Sequence, residues 1–204
     1  MSLKKMMMKL AIAMVAAKGG QMYAQAGGLE GIKRKLAQQK QSGGGIGAML
    51  GNLASAGGGG AAPQKAEHLR GLLDTTATPE VPEEAEAGLV IRAMVMAAKA
   101  DGEIDTAERA ALWDVLGEST APNDAFDEAF VEAALNAPVD AEALARDVPA
   151  GLELEIYTAA VLGITPDNRD EAQFLHALAE RLGLDKTTVN DVHLAQGKVP
   201  LYTL

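Results

Sequence analysis

The feature that most constrains the fold is a short acidic turn between two apolar segments. Residues 100–108 read Ala-Asp-Gly-Glu-Ile-Asp-Thr-Ala-Glu. Apolar residues recur at helical spacing in residues 89–100 before the turn and in residues 110–116 after it. Gly102 permits the positive φ that a sharp turn requires. The pattern predicts a helix, an acidic loop and a second helix.

The end of the acidic turn has the form of a helix start. The Asp105 carboxylate can accept hydrogen bonds from the free N–H groups of the new helix. Glu108 stands three residues later and can reach back to the Asp105 N–H, as in a capping box. This interpretation needs no ligand.

The same turn also resembles the second half of a calcium-binding EF-hand loop. The matching residues are Asp101, Gly102, Ile104 and Glu108. The two leading carboxylate positions of such a loop fall on Ala97 and Lys99, and a lysine there repels a divalent cation. We therefore expect no complete EF-hand. The metal alternative that stays open is a looser carboxylate site completed by another part of the fold.

The segment recurs in a weaker form 63 positions later. The matching pairs are Asp105 and Asn168, Glu108 and Glu171, Leu112 and Leu175, Val115 and Leu178, Ile91 and Leu154, and Ala97 and Ala160. Asn168 and Glu171 again form a cap followed by an acid at the third helical position. The repeat predicts two helical pairs packed around one core, because neither pair can bury its apolar face alone.

The composition predicts an all-α fold. Aromatic residues make up only 3% of the chain, and Ala, Leu and Met carry most of its apolar content. The predicted helices are 83–100, 105–117, 123–136, 140–147, 150–163, 168–182 and 186–196. Asp140 and Asp185 are the expected N-caps of two of them. We interpret the acids on these helices as a solvated face.

Two motifs resemble the TerB-like helical domain, and more closely its YebE-type branch, which has no assigned function. They are residues 101–112, Asp-Gly-Glu-Ile-Asp-Thr-Ala-Glu-Arg-Ala-Ala-Leu, and the segment 171–185 in the second copy. The resemblance covers about residues 82–197 and implies a compact helical bundle. TerB is associated with tellurite resistance and has acidic residues suspected of binding metal. Carried over, the divalent-cation ligands would be Asp101, Asp105, Glu108 and Glu171.

Charge divides the chain into parts with different expected partners. Residues 1–65 carry a net charge of +8, whereas residues 66–204 carry −18. We expect a basic N-terminal segment at 1–42, a Gly/Pro-rich linker with a short helix at 43–81, and the helical domain at 82–204. The acidic domain should avoid nucleic acid, whereas the basic segment can seek an anionic surface or a protein partner.

The N-terminal residues are typical of a helix that lies on a membrane surface. A Met and Leu face is flanked by Lys4, Lys5, Lys9 and Lys18. The unbroken apolar run, residues 10–17, is too short to span a bilayer. A secretory signal, with Ala24-Gln25-Ala26 as its cleavage region, and a helix packed on protein are the alternatives. The corresponding expectations are a cytoplasmic protein at the inner membrane or an exported protein.

The chain lacks the sequence signatures of a catalytic centre. It contains no cysteine, and its three histidines form no His-x-x-x-His pair. His176 could ligate a metal with Glu171 or Glu180, but a surface histidine is the simpler interpretation. We therefore expect a non-enzymatic interaction domain, related to stress, with divalent-metal binding as the alternative function.

Overall fold

The part of the polypeptide that the structure, a computed structural model, describes is built of helices joined by turns and short irregular segments. That part comprises residues 46–47, 63–75, 81–102, 104, 124–164 and 169–204, and it contains no strand. Its helices are α1 (Pro63–Thr75), α2 (Glu83–Ala98), α3 (Asp124–Asn136), α4 (Ala141–Asp147), α5 (Glu153–Leu162), α6 (Arg169–Arg181) and α7 (Lys186–Ala195). The predicted all-α fold is confirmed.

Most of these helices begin and end within two residues of the predicted positions, and α5 is the exception. It begins at Glu153 rather than at residue 150, because Gly151 adopts a φ of 97° that a helix does not accommodate. The Leu152 N–H instead closes a turn onto the Pro149 carbonyl at 3.1 Å. The helix predicted at 105–117 lies outside the described residues.

Two helices begin at the predicted aspartate caps. The Asp140 carboxylate accepts from the Ala143 N–H at 2.9 Å and so starts α4. The Asp185 carboxylate accepts from the N–H groups of Thr187 and Thr188 at 2.9 and 3.0 Å and so starts α7. These bonds satisfy N–H groups that the first turn of a helix leaves without a partner.

The core is centred on the contact between α2 and α5. Residues 154–162 of α5 are all buried, and so are most residues of α2. Gly163, at the end of α5, lies so close to α2 that a Cβ atom there would come within 2.7 Å of the Met94 carbonyl oxygen. A side chain at this position would therefore force the two helix backbones apart.

The internal repeat places its two first helices against each other. Ile91 and Ala97 lie on α2, their counterparts Leu154 and Ala160 lie on α5, and all four are buried in the same core. Only the second copy of the following helix, α6, is described, because residues 105–123 are not. The pairing of α2 with α5 is what two related units packed around one core require.

Side chains from the segment predicted as a linker also contribute to the core. Ile46, Leu69 and Leu73 are buried at 0%, 1% and 5% exposure. Helix α1 packs along α7, where the Lys65 ammonium is 2.6 Å from a carboxylate oxygen of Asp191. The boundary near residue 82 stays a prediction, but the apolar core includes residues that precede it.

The C-terminal residues fold back onto α7. The Asn190 side-chain amide donates to the Tyr202 carbonyl at 2.8 Å, and its oxygen accepts from the Tyr202 N–H at 2.9 Å. The Asn190 side chain thus pairs with both the N–H and the carbonyl group of Tyr202, as the backbone of a neighbouring strand would, and this holds the irregular C-terminal segment in place. Thus α7 contacts both α1 and the end of the chain.

If α1 is part of the folded core, shortening its buried side chain must weaken the whole domain. We expect Leu69→Ala in the full chain to lower the free energy of unfolding by about 2–5 kcal/mol, the usual cost of a buried Leu→Ala change. Urea unfolding followed by circular dichroism measures this. Gln64→Ala, at an exposed position of α1, is the control. Equal stability of the Leu69→Ala and wild-type proteins would show that α1 does not support the core.

Candidate functional site

The acidic turn follows α2 as predicted. The Gly102 N–H donates to the Lys99 carbonyl at 3.0 Å, and Gly102 adopts the positive φ, 149°, expected from the sequence. Asp101 is exposed at this turn, and Ile104 packs against the core. Asp105 and Glu108 lie outside the described residues, so their capping and metal-binding roles stay predictions.

Lys99, which occupies a ligand position of the EF-hand pattern, links two helix ends. Its ammonium group donates to the carbonyl oxygens of Leu135 and Ala137, each at 2.6 Å. These carbonyls lie at the C-terminal end of α3, where a positive charge is favoured by the helix dipole. The lysine therefore fixes the start of the acidic turn against α3.

The predicted metal ligands fall in different environments. Asp101 is exposed, whereas Glu171, in the first turn of α6, is 1% exposed. Across the described ranges, no three His, Asp or Glu side chains come together in a group that could hold a metal ion. The structure thus places neither residue in a multi-carboxylate centre, and a centre that includes Asp105 and Glu108 is not tested.

His176 lies on the exposed side of α6. Its Nδ1 atom is 2.9 Å from the Tyr202 hydroxyl, and its Nε2 atom is 3.7 Å from a carboxylate oxygen of Glu180. The neighbour is the acid four residues later on the same helix. These contacts describe a surface histidine that helps to hold the C-terminal segment.

A buried pair of carboxyl groups was not anticipated from the sequence. Glu86 on α2 and Glu155 on α5 are 3% and 6% exposed. Burial, and to a smaller extent a hydrogen bond with Glu86 and the charge of Glu86, together raise the pKa of Glu155 to about 9. Glu155 is therefore protonated at neutral pH. The sequence feature that could have indicated this burial is the position of Glu155 among apolar residues of α5, a helix without a polar face.

The surroundings of this pair are rich in oxygen and crowded. Oε1 of Glu155 is buried and has no hydrogen-bond donor among the described residues. A Cβ atom on Gly47 would lie 3.0 Å from Oε2 of Glu155 and 3.2 Å from the Leu73 carbonyl oxygen. Gly47 thus leaves a space between a carboxyl group and a backbone carbonyl that any larger residue would fill.

A second buried polar network joins α5, α7 and the C-terminal segment. His193 Nδ1 is 2.9 Å from the Val199 carbonyl oxygen, and Nε2 is 3.0 Å from the Tyr157 hydroxyl. Burial lowers the pKa of His193 to about 4, assisted by the charge of Lys198 and opposed by the hydrogen bond to Val199. The ring is neutral at pH 7, so Nδ1–H donates to the carbonyl and Nε2 accepts from Tyr157.

Lys198 completes this network at the C-terminal end of α5. Its ammonium group donates to the carbonyl oxygens of Val161 and Ile164. The pKa of the Tyr157 hydroxyl is raised, mainly by burial. Each of these groups has a structural partner, so the network orders the C-terminal segment.

Several basic side chains of the described domain are engaged in internal contacts. Arg92 pairs with Asp147 at 2.8 Å, and Arg181 pairs with Glu142 at 3.0 Å. Lys65, Lys99 and Lys198 contact the groups described above. Exposed acids include Glu83, Glu84, Asp101, Asp140, Asp170, Glu180 and Asp185. Among the residues that the structure describes, exposed carboxylates therefore outnumber exposed basic groups.

An apolar cavity of about 220 Å³ lies between α2 and α3. It is lined by Arg92, Met96, Phe130, Ala133, Ala134 and Ala137. Arg92 is the charged member of this lining, and its guanidinium group is paired with Asp147. The cavity could accommodate an apolar group. Its lining residues include no nucleophile and no general base.

The membrane-facing residues predicted at the N-terminus, Lys4, Lys5, Lys9 and Lys18, lie outside the described residues. Of the helices that are described, none is both long and apolar enough to cross a membrane.

Comparison with known proteins identifies one family. The model of the family described as "Protein of unknown function (DUF533)" matches residues 13–195. The match includes most of the basic N-terminal segment as well as the helical domain. No curated protein and no solved structure matches the chain.

The two buried titratable groups predict a stability profile with an alkaline decline. The folded-state pKa of Glu155 is raised from 4.5 to about 9, so its contribution decreases as pH rises through that interval. The pKa of His193 is lowered from 6.5 to about 4, so its contribution is lost as pH falls below 6.5. The two effects oppose each other below pH 6.5, and only the Glu155 effect acts above it.

We therefore expect the free energy of unfolding to fall between pH 6.5 and pH 9, by at most about 1.4 kcal/mol per pH unit. Urea unfolding at a series of pH values measures the profile. Glu155→Gln removes the titrating group and should flatten this part of the curve. A decline of the same slope in the Glu155→Gln protein would assign the pH dependence to other residues.

Proposed function

The chain belongs to the DUF533 family, whose function is unknown, and we propose that it is a non-enzymatic interaction module. In this proposal an acidic helical domain is tethered to an anionic membrane surface by the basic N-terminal segment. The observation that carries it is the separation of charge, +8 in residues 1–65 and −18 in residues 66–204.

The packing of the helical domain supports this assignment of roles. Several of its arginines and lysines pair with Asp147, Glu142 and Asp191 or donate to carbonyl groups at helix ends. The carboxylates that remain at the surface repel anionic lipid and favour a basic partner. The domain would therefore face away from the membrane and be available to a protein.

The basic segment supplies the opposite property. Lys4, Lys5, Lys9 and Lys18 flank apolar Met and Leu residues. Each lysine near an anionic surface contributes on the order of 1 kcal/mol, so four of them sustain reversible binding. The family match begins at residue 13 and ends at residue 195. The family model therefore includes part of the basic segment together with the helical domain.

Within the family we propose a TerB-like domain of the YebE type, acting in stress tolerance. The helix that leads into an acidic Asp-Gly turn supports this, as does the packing of α2 against its repeat counterpart α5. The absence of a catalytic role is proposed from the sequence, where the four serines have no nucleophile-elbow context.

A second candidate function is divalent-metal binding at the acidic turn. It is favoured by the exposure of Asp101 on a turn that Gly102 holds open. The proposed ligands are Asp101, Asp105, Glu108 and Glu171, and carboxylate oxygens are what hard cations prefer.

The membrane proposal predicts salt-sensitive binding to anionic vesicles. We expect the full chain to co-sediment with vesicles that contain phosphatidylglycerol and to be released by high salt. Changing Lys4, Lys5, Lys9 and Lys18 together to Gln should abolish most of this binding. The matched control changes Lys33, Arg34, Lys35 and Lys40 to Gln, which removes the same charge elsewhere in the segment.

Two results would count against the membrane proposal. One is sedimentation of both variants to the same extent as the wild type. The other is equal binding to neutral phosphatidylcholine vesicles, which would exclude an electrostatic attachment.

The metal proposal predicts a different response at the turn. If a cation binds there, millimolar calcium or zinc should raise the melting temperature of the wild type, since a ligand of the folded state stabilises it. Asp101→Asn should abolish that rise and leave the melt in chelator nearly unchanged. A metal response that persists in full after Asp101→Asn would remove the turn as its source.

A further inference from the structure

The two described residues that precede α1 are attached to the helical domain. Ile46 is fully buried and belongs to the same core as Leu69 and Leu73 of α1. Gly47 lies so close to the domain that a Cβ atom there would be 3.0 Å from Oε2 of Glu155 and 3.2 Å from the Leu73 carbonyl oxygen. Ile46 and Gly47, here called the strap, therefore fasten the chain to the domain ahead of α1.

The strap determines how far the basic segment can lie from the domain. The basic segment, residues 1–42, ends just before the strap, whereas the Gly-rich residues 48–62 lie between the strap and the start of α1. With the strap docked, residues 43–45 are the only connection between the basic segment and the domain, and they reach about 14 Å at most when extended. With the strap released, a Gly-rich chain of about 20 residues would connect them, and its average span would be about 25 Å.

We propose that the strap is releasable: in solution it holds the basic segment beside the acidic domain, and an anionic membrane surface releases it. This inference rests on the membrane attachment proposed above. The opposite charges, +8 in residues 1–65 and −18 in residues 66–204, favour the docked form in solution.

An anionic surface favours the released form for two reasons. Its lipids compete with the acidic domain for the basic segment. It also repels the acidic domain over a screening length of about 8–10 Å at physiological salt. The released chain allows the domain to lie well beyond this length, whereas the docked strap keeps the domain near the surface.

The strap is weak enough for a membrane to open it. It buries one large side chain, that of Ile46. A buried isoleucine contributes about as much as two or three lysines at an anionic surface, and the ordering of the strap offsets part of that contribution. The docked form should therefore outnumber the released form in solution by at most on the order of 100-fold, and a surface that binds the released form better can reverse this ratio.

Single cysteines measure the release, because the chain contains none of its own. In the full-length protein, Ile46→Cys should react with a maleimide about tenfold or more slowly than Gln64→Cys, at an exposed position of α1. Vesicles that contain phosphatidylglycerol should raise the rate at Ile46→Cys by about threefold or more, whereas phosphatidylcholine vesicles should not. Val161→Cys, in the core of α5, should stay unreactive, which would exclude global unfolding as the cause.

A substitution that prevents docking tests the same coupling from the other side. Gly47→Val places a side chain against Glu155 and the Leu73 carbonyl and should open the strap. This variant should bind phosphatidylglycerol vesicles about threefold or more tightly than the wild type, because binding no longer has to release the strap. Gly71→Val is the matched control, since a Cβ atom on Gly71 meets no other part of the fold within 4 Å.

The outcomes separate the strap from the membrane attachment itself. Vesicle binding by the wild type, with unchanged labelling of Ile46→Cys and unchanged affinity of Gly47→Val, would overturn the strap and leave the attachment standing. Equally rapid labelling of Ile46→Cys and Gln64→Cys in buffer would show that the strap is not docked. If neither the wild type nor Gly47→Val binds vesicles, the membrane attachment fails and the releasable strap fails with it. Binding by Gly47→Val alone would support a docked form that withholds the basic segment from the surface.

Discussion

The close contact between α2 and α5 is the interaction on which the rest of the structure depends. It is made by small and aliphatic side chains, and Gly163 allows the end of α5 to lie against the backbone of α2 near Met94. Because interiors are packed as densely as organic crystals, this distance determines where the other helices can lie. Helix α6 packs on α4 and α5, helix α3 packs on α2, and α1 reaches the core through α7.

Local signals were sufficient to predict most of the described helices. Asp140 and Asp185 cap their helices through their own side chains, so sequence identifies them directly. Gly102 likewise follows from a local conformational requirement, because a positive φ favours glycine. The start of α5 was missed because the turn at Gly151 interrupts a segment whose apolar pattern continues without a break.

The candidate site was harder to predict, since its members are distant in sequence. Glu86 and Glu155 meet only because α2 and α5 pack together. From sequence alone, an acidic residue on a helix is expected to be exposed to solvent. The environment of His193 also depends on Tyr157 and Val199, which belong to other segments. Long-range polar contacts of this kind depend on the tertiary fold. The sequence indicates them only through a polar residue at a position where the helical pattern predicts an apolar one.

Polar groups in the core divide into those that are satisfied and those that are not. His193, Lys198 and Asn190 each find partners and fix the C-terminal segment. Glu155 keeps one oxygen without a donor in the described part of the chain. Satisfied networks rigidify a core and help to make its fold unique, whereas a buried polar atom without a partner lowers stability.

The position of α7 between α1 and the C-terminal residues has a consequence for biosynthesis. Lys65 and Asp191, whose contact joins α1 to α7, are 126 residues apart. A ribosome makes α1 before α7, so the contact with α7 is not yet available to Leu69 and Leu73 when they are synthesised. A contact between residues so far apart in sequence closes a long loop, and the entropic cost of that closure slows folding. The contact between α1 and α7 therefore forms only after residues 186–195 have been made, and a chain interrupted before α7 would lack it.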